Sequence, residues 1–142
     1  WEWVRLGDVT RILMGQAPKG DTVSSNKENG IEFHQGKTFF GPKVIQRSDK
    51  YTSQDNKIID AGTIVMAVRA PVGNVNLCDR KIYIGRGLAG IKPLKSGVNL
   101  LYLYNYLLTR KTHFESQATG STFKAINGKI IENEVVPLPP LA

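Results

Sequence analysis

The sequence has little of what sulfur-stabilised, metal-binding or membrane proteins need. It contains one cysteine, Cys78, two histidines, His34 and His113, and no Asn-x-Ser/Thr sequon. A lone cysteine cannot close a disulfide within the chain, and no run approaches the roughly 20 apolar residues that span a bilayer. The first residues, Trp1 to Arg5, lack the basic and then apolar pattern of a signal peptide. These absences predict a cytoplasmic protein without a membrane segment.

Motifs of common catalytic sites are missing as well. The sequence has no G-x-x-x-x-G-K-[ST] loop, no G-x-S-x-G elbow, no metal-ligand spacing and no Asn/Asp-Pro-Pro-aromatic signature. The segment Gly85–Gly90 has G-x-G-x-x-G spacing, but Pro93 follows and no helix opens on the glycines, so a glycine-rich strand or bulge is predicted. Asp55-Asn-Lys57 lacks the second acid of a nuclease motif and reads as a solvated turn. No catalytic, metal-binding or cofactor-binding residue is predicted.

What the chain does have is an uneven positive charge. Its 142 residues suit one domain, residues 1–142, and hold 19 bases and 12 acids. Between Ala61 and Ile131 there are ten bases and two acids, a net charge of +8, whereas the remainder carries −1. A basic region favours a polyanionic partner through release of condensed counterions. A solubilising surface without a partner explains the charge equally well.

Hydrophobic periodicity predicts an α+β fold. Short β-branched runs bounded by Gly, Asn, Asp or Pro predict strands at 63–68, 75–78, 81–84 and 88–91. The connections between them are too short for helical crossovers, so a curved, mixed but largely antiparallel sheet is expected. From Asn99 to Gln117 the apolar period becomes helical, which predicts one main packed helix. The prolines between Val135 and Pro140 predict an end to regular structure.

Four blocks of sequence resemble the target-recognition domain of type I restriction-modification specificity subunits. They appear in the family's order and span nearly the whole chain. The blocks are Trp1-Glu-Trp-Val-Arg-Leu-Gly-Asp-Val9, Ala61-Gly-Thr-Ile-Val-Met-Ala-Val-Arg-Ala-Pro-Val-Gly73, Thr119-Gly-Ser-Thr-Phe-Lys-Ala-Ile126 and Val136-Pro-Leu-Pro-Pro-Leu141.

The resemblance implies a division of labour. A domain of this family reads one half of a bipartite double-stranded DNA target and performs no catalysis. Separate methylation and restriction subunits dock on long spacer helices that flank such domains and are absent from this chain. Two alternatives remain open from the residues: a basic protein-interaction domain, and the recognition part of a small DNA methyltransferase or nuclease.

In the family, loops and sheet edges carry recognition, so candidate DNA contacts are taken from the loops. Arg and Lys suit guanine or phosphate, and Asn and Gln suit adenine. Base reading is expected mostly before residue 61 and phosphate contact within 61–131. The candidates are Lys19, Ser24, Gln35, Lys37, Lys43, Gln46, Arg47, Lys50, Arg69, Ser121, Thr122 and Lys124.

Overall fold

The computed structural model describes residues 1–95, 98–120 and 124–139. In chain order, its helices and strands are β1 (Glu2–Arg5), α1 (Leu6–Val9), β2 (Thr10–Met14), β3 (Val23–Ser24), β4 (Ile31–His34), β5 (Lys50–Thr52), β6 (Ile58–Ile59), β7 (Thr63–Ala67), β8 (Val75–Cys78), β9 (Ile82–Ile84), β10 (Leu88–Pro93), α2 (Leu100–Leu108), α3 (Lys111–Gln117), α4 (Gly128–Glu132) and β11 (Val135–Leu138).

The strands form three sheets in the described residues. A four-stranded sheet has the order β2-β10-β7-β8 and is antiparallel throughout. A five-stranded sheet has the order β3-β5-β4-β9-β6, in which β4 and β9 are parallel. The third sheet is the antiparallel ribbon of β1 and β11. The predicted α+β class with largely antiparallel pairing is confirmed, and its strands are divided among three sheets.

Strand β7 is the centre of the molecule because both of its faces are covered. Ile64 and Met66 face the helices, where they pack in a core with Leu103 and Phe114. Val65 faces the five-stranded sheet and packs in a second core that includes Ile59, Ile82 and Ile84. All five residues of β7 are buried. A strand buried on both sides favours apolar residues on both faces, which explains the apolar run that follows Thr63 in β7.

The predicted single helix over 99–117 is corrected to two helices, α2 and α3. Asn99 caps α2 by accepting a 3.0 Å hydrogen bond from the Tyr102 amide. The helix ends where the Thr109 hydroxyl donates to the Tyr106 carbonyl at 2.6 Å and the Arg110 amide donates to the Leu107 carbonyl at 3.0 Å. Such three-residue hydrogen bonds tighten the last turn of a helix. The break also lets the Arg110 side chain reach Glu134.

The predicted end of regular structure after residue 135 is wrong as far as Leu138. β11 pairs with β1, and Pro137 lies opposite Trp3. The ribbon has two strands, so Pro137 can lack an amide hydrogen without interrupting a ladder on its other side. Its carbonyl instead accepts a hydrogen bond from the Tyr102 hydroxyl, which ties the ribbon to α2.

Candidate nucleic-acid interface

Several loops meet at one end of the two larger sheets. β2, β4, β7 and β9 end there, and β10 begins there. Backbone hydrogen bonds join the loops to one another. We call this surface the loop rim, and it consists of residues 15–16, 34–36, 68–70, 85–87, 119–120 and 124–125.

The turn Gly85–Gly87 lies at the middle of the loop rim. The Gly85 amide donates to the His34 carbonyl at 2.7 Å, and the Gly87 amide donates to the Gln35 carbonyl at 2.9 Å. On the other side, the Val68 amide donates to the Gly87 carbonyl at 2.9 Å. The turn is therefore attached to the ends of both larger sheets.

Arg69 and Lys124 lie next to each other on the loop rim. The Ala70 amide donates to the Lys124 carbonyl at 2.9 Å, and Arg69 forms an antiparallel bridge with Ala125. Both basic residues are exposed. The segment before helix α4 is thus held against the end of β7, and two positive side chains project from the junction.

The loop rim is positively charged without acidic compensation. Its residues include no Asp or Glu, and its exposed bases are Arg69, Arg86 and Lys124. Within the described part of the chain, none of the three forms an ion pair. A surface of this kind attracts anions, because it carries positive charge and none of its own residues is acidic.

Three other basic residues of the 61–131 region are paired with carboxylates of the same chain. Arg80 pairs with Glu32 at 2.7 Å, Lys92 with Asp60 at 2.8 Å, and Arg110 with Glu134 at 3.1 Å. The net charge of this region therefore overstates what a ligand would meet.

A second polar surface is the segment Gly41–Ser48, which lies along β8. The Leu77 amide donates to the Lys43 carbonyl at 2.8 Å, and the Ile45 amide donates to the Leu77 carbonyl at 3.0 Å. The Asn76 side chain accepts from the Gly41 amide at 2.8 Å and donates to its carbonyl at 3.1 Å. The backbone of the segment is thus fixed.

A buried ionic network supports this segment from below. Arg80 binds both carboxylate oxygens of Glu32, with Nε 2.8 Å from Oε1 and Nη2 2.7 Å from Oε2. Arg80 also donates to the Ile45 carbonyl at 3.0 Å, and the Ser48 amide donates to Glu32 at 3.1 Å. His34 Nε2 lies 2.5 Å from Glu32 Oε2. The network therefore fixes the later part of the 41–48 segment, whereas Asn76 fixes its first residue, Gly41.

The electrostatics of the network favour a charged Glu32 beside a neutral His34. Burial raises the pKa of Glu32, but hydrogen bonds from Arg80, His34 and Ser48 outweigh it and lower the pKa to about 2. Burial lowers the pKa of His34 below its ordinary value. His34 then donates through Nε2 to the carboxylate. Sequence reasoning missed this network, because Arg80 lies 48 positions from Glu32.

The structure groups the predicted contacts unevenly. Gln35, Arg69 and Lys124 lie on the loop rim, whereas Lys43, Gln46 and Arg47 are exposed on the 41–48 segment. Backbone hydrogen bonds join Gln35 to Gly87 and the 41–48 segment to Leu77, so the basic 61–131 region is in direct contact with the region predicted to read bases. Which of them touches bases stays a prediction.

Other predicted contacts are engaged or lie apart. Lys37 Nζ is 3.5 Å from Asn74 Oδ1, and Lys50 Nζ is 3.2 Å from Ser25 Oγ. The Ser24 hydroxyl accepts hydrogen bonds from Asn26 and Asn29, which closes a local turn. The Lys19 amide donates to Gln54 Oε1 at 2.7 Å, beyond the end of β5. Ser121 and Thr122 lie outside the described residues.

Arg86 is the exposed basic residue of the loop rim that is missing from the predicted contacts. The glycine on either side of Arg86 is the sequence signal that marks this turn. The segment that follows is the strand β10, as the prediction of a glycine-rich strand or bulge requires, and no helix opens there.

Other kinds of site find little support in the described residues. No three His, Cys, Asp or Glu residues there are placed to hold a metal ion. No helix in the same part of the chain has the length and apolar character to cross a membrane.

Comparison with known proteins gives a consistent family. The family model described as the type I restriction modification DNA specificity domain matches residues 1–142. A Methanocaldococcus jannaschii protein, named as the MjaX specificity subunit of a type I restriction enzyme, is 43% identical over 143 residues, which cover 99% of this chain and 33% of that protein.

Solved structures agree. The HsdS subunit from Thermoanaerobacter tengcongensis matches with a TM-score of 0.87 and 36% identity, over 99% of this chain and 33% of that one. A chain from a type I R-M system, described for its complex assembly and conformational transition, matches with a TM-score of 0.87 and 38% identity, over 99% and 34% of the two chains. The chain spans about a third of these relatives.

These comparisons confirm the predicted specificity domain, and the alternative of a methyltransferase or nuclease fragment has no support among them. The chain belongs to the family of type I restriction modification DNA specificity domains.

Proposed function

We propose that this domain binds double-stranded DNA through the loop rim and the 41–48 segment, and reads one half of a bipartite target. The observation that carries the proposal is that the loop rim contains no acidic residue. Its three exposed basic residues form no ion pair with any described residue. Basic side chains that are not paired with a carboxylate can replace the counterions of DNA phosphates. Family membership supplies the class of ligand.

The two surfaces divide the task. Arg69 and Lys124 project from adjacent backbone positions and suit phosphates, which set the position of a protein on the duplex. Gln46 and Arg47 are exposed on a fixed backbone and carry the hydrogen-bonding groups that reach base edges. Together they give a rigid surface on which both kinds of contact are made.

Residues 1–142 form one recognition domain in this proposal. Methylation and restriction subunits would dock on spacer helices in the remaining two thirds of a longer specificity subunit. The relatives are about three times the length of this chain, which leaves room for them. A cytoplasmic location follows from this function, because the DNA target lies there.

A selection from random duplexes tests the proposal. The 142-residue chain is expected to enrich one short motif, with weak affinity because half a target offers few contacts. A triple variant with Arg69, Arg86 and Lys124 changed to Ala should lose binding. A matched triple variant with Arg11, Lys81 and Lys92 changed to Ala should keep it, because these residues lie at the opposite end of the sheets. Absence of any enriched motif would favour the protein-interaction alternative.

A further inference from the structure

We infer that Arg86 determines specificity by reading a guanine edge from the middle of the loop rim, an inference that rests on the proposed function. Arg86 is exposed between Gly85 and Gly87, and the turn that carries it joins the ends of β4 and β7. Its position differs from those of Arg69 and Lys124, which lie together at the side of β7 near Ala125. An exposed side chain on a central turn is the one best placed to enter a groove.

Several hydrogen bonds fix the backbone of the turn that carries Arg86. Besides the bonds to His34, Gln35 and Val68, the Leu88 amide donates to the Gly85 carbonyl at 3.1 Å, and the Gln16 amide donates to the Ile84 carbonyl at 3.2 Å. The turn therefore presents the Arg86 Cα at a fixed position, and binding costs little ordering of the backbone.

Close packing of Gln35 explains the two glycines. A Cβ on Gly85 would come within 2.9 Å of Gln35 Cα, and a Cβ on Gly87 within 2.8 Å of the Gln35 carbonyl oxygen. Real Cβ atoms essentially never come so close to backbone atoms. The glycines thus bring the Gln35 side chain against the turn, so that an amide and a guanidinium project from neighbouring backbone positions.

The guanidinium of Arg86 is available for a ligand. Among the described residues it forms no ion pair, in contrast to Arg80 and Arg110, whose guanidinium groups are bound by Glu32 and Glu134. Five N–H donors in a planar fork match the O6 and N7 acceptors of guanine, and a lysine cannot reproduce that geometry. The adjacent Gln35 amide has the donor and acceptor pair that suits adenine.

The test repeats the selection with Arg86→Ala and Arg86→Lys variants of the 142-residue chain, with Arg11→Ala as the matched control. Arg11 is an exposed arginine at the far end of β2. Arg86→Ala is expected to lose the preference for guanine at one position of the motif while the other positions persist. Affinity for the selected duplex should fall by about 10- to 100-fold, the discrimination that one bidentate contact gives.

Arg86→Lys should weaken the preference for the same guanine, because it lacks the planar fork, but should retain binding to random duplexes, because it keeps the charge. Arg11→Ala should leave the motif unchanged. An unchanged motif with equal loss on every duplex would make Arg86 a phosphate contact and overturn the inference. If the unsubstituted chain enriches no motif, the proposed function fails and the inference fails with it. If the chain enriches a motif that Arg86→Ala does not alter, only the inference fails.

Discussion

Glu32 shows how a single residue can hold a recognition surface without belonging to it. Its side chain is 6% exposed and meets Arg80, His34 and the Ser48 amide. Each partner satisfies a carboxylate oxygen that water would otherwise solvate. Arg80 passes the constraint on to the Ile45 carbonyl, so one buried charge fixes the segment that presents Gln46 and Arg47.

Replacing Glu32 should therefore be costly. Glu32→Gln removes the charge but keeps the shape, and leaves Arg80 without its buried counterion. We expect the free energy of unfolding to fall by about 3–5 kcal/mol, measured by urea denaturation near neutral pH. Asp79→Asn is the control, because Asp79 pairs with the same Arg80 but is exposed, and should cost about 0–1 kcal/mol. Equal losses in the two variants would contradict the role given to Glu32.

The same network predicts acid sensitivity. Glu32 has a pKa of about 2 in the folded chain against an ordinary 4.5, so its stabilising effect is complete above pH 4.5 and is lost as pH falls towards 2. The pKa of His34 is lowered from 6.5, so protonation of the unfolded chain also destabilises the fold below that pH. In urea titrations, the loss caused by Glu32→Gln should shrink between about pH 5 and pH 3. A constant loss would contradict the lowered pKa of Glu32.

Residue identity alone did not reveal which basic side chains are paired with a carboxylate. Arg80 and Arg86 have the same side chain, and both lie in the basic region. Arg80 is paired with a carboxylate distant in the sequence, whereas Arg86 forms no ion pair among the described residues. Only the folded chain distinguishes the two, because long-range pairing leaves no local signal.

Elements with a regular pattern were predictable, and those decided by tertiary contacts were not. Strand β8 runs over Val75–Cys78 as predicted, since Asn74 and Asp79 bound a short run that is buried at three of its four positions. At the break between α2 and α3, the Thr109 hydroxyl bonds the Tyr106 carbonyl and Arg110 pairs with Glu134, and neither contact alters the apolar period of the sequence. β11 pairs with β1, which is distant in the sequence. The prolines of this segment therefore predicted, wrongly, that regular structure ends there.

The start of α2 provides a test at the level of the element. Asn99→Ala removes the side chain that accepts from the Tyr102 amide and should lower the free energy of unfolding by about 1 kcal/mol. Asn105→Ala makes the same chemical change at an exposed site within α2. It should cost less than about 0.5 kcal/mol, because Ala has the better helix propensity. Thermal unfolding compares the two, and an Asn105→Ala loss as large as that of Asn99→Ala would refute the cap.

At the scale of the molecule, the positions of the basic residues matter more than the net charge of the region that contains them. The +8 of residues 61–131 suggested a phosphate-facing half, but ion pairs at Arg80, Lys92 and Arg110 remove part of it. What remains at the loop rim lies beside Gln35, from the region predicted to read bases. The two predicted halves therefore meet along one surface.

Salt dependence of DNA binding can count the phosphate contacts. Lys124→Ala should reduce the slope of log affinity against log salt by about 1, because one counterion fewer is released. Lys92→Ala is the control, since Lys92 is already paired with Asp60, and its slope should stay unchanged. Fluorescence anisotropy on one duplex at several salt concentrations measures both. Equal slopes for Lys124→Ala and the unsubstituted chain would exclude a phosphate contact at Lys124.

The ribbon of β1 and β11 has a mechanical consequence. Glu2 lies opposite Leu138, and Arg5 lies opposite Val135, so the chain enters and leaves the domain side by side. A force that pulls these two ends apart loads the pairs one after another, starting at Glu2 and Leu138, as a zip opens. The ribbon of β1 and β11 should therefore separate under small loads while β7 and the loop rim stay folded.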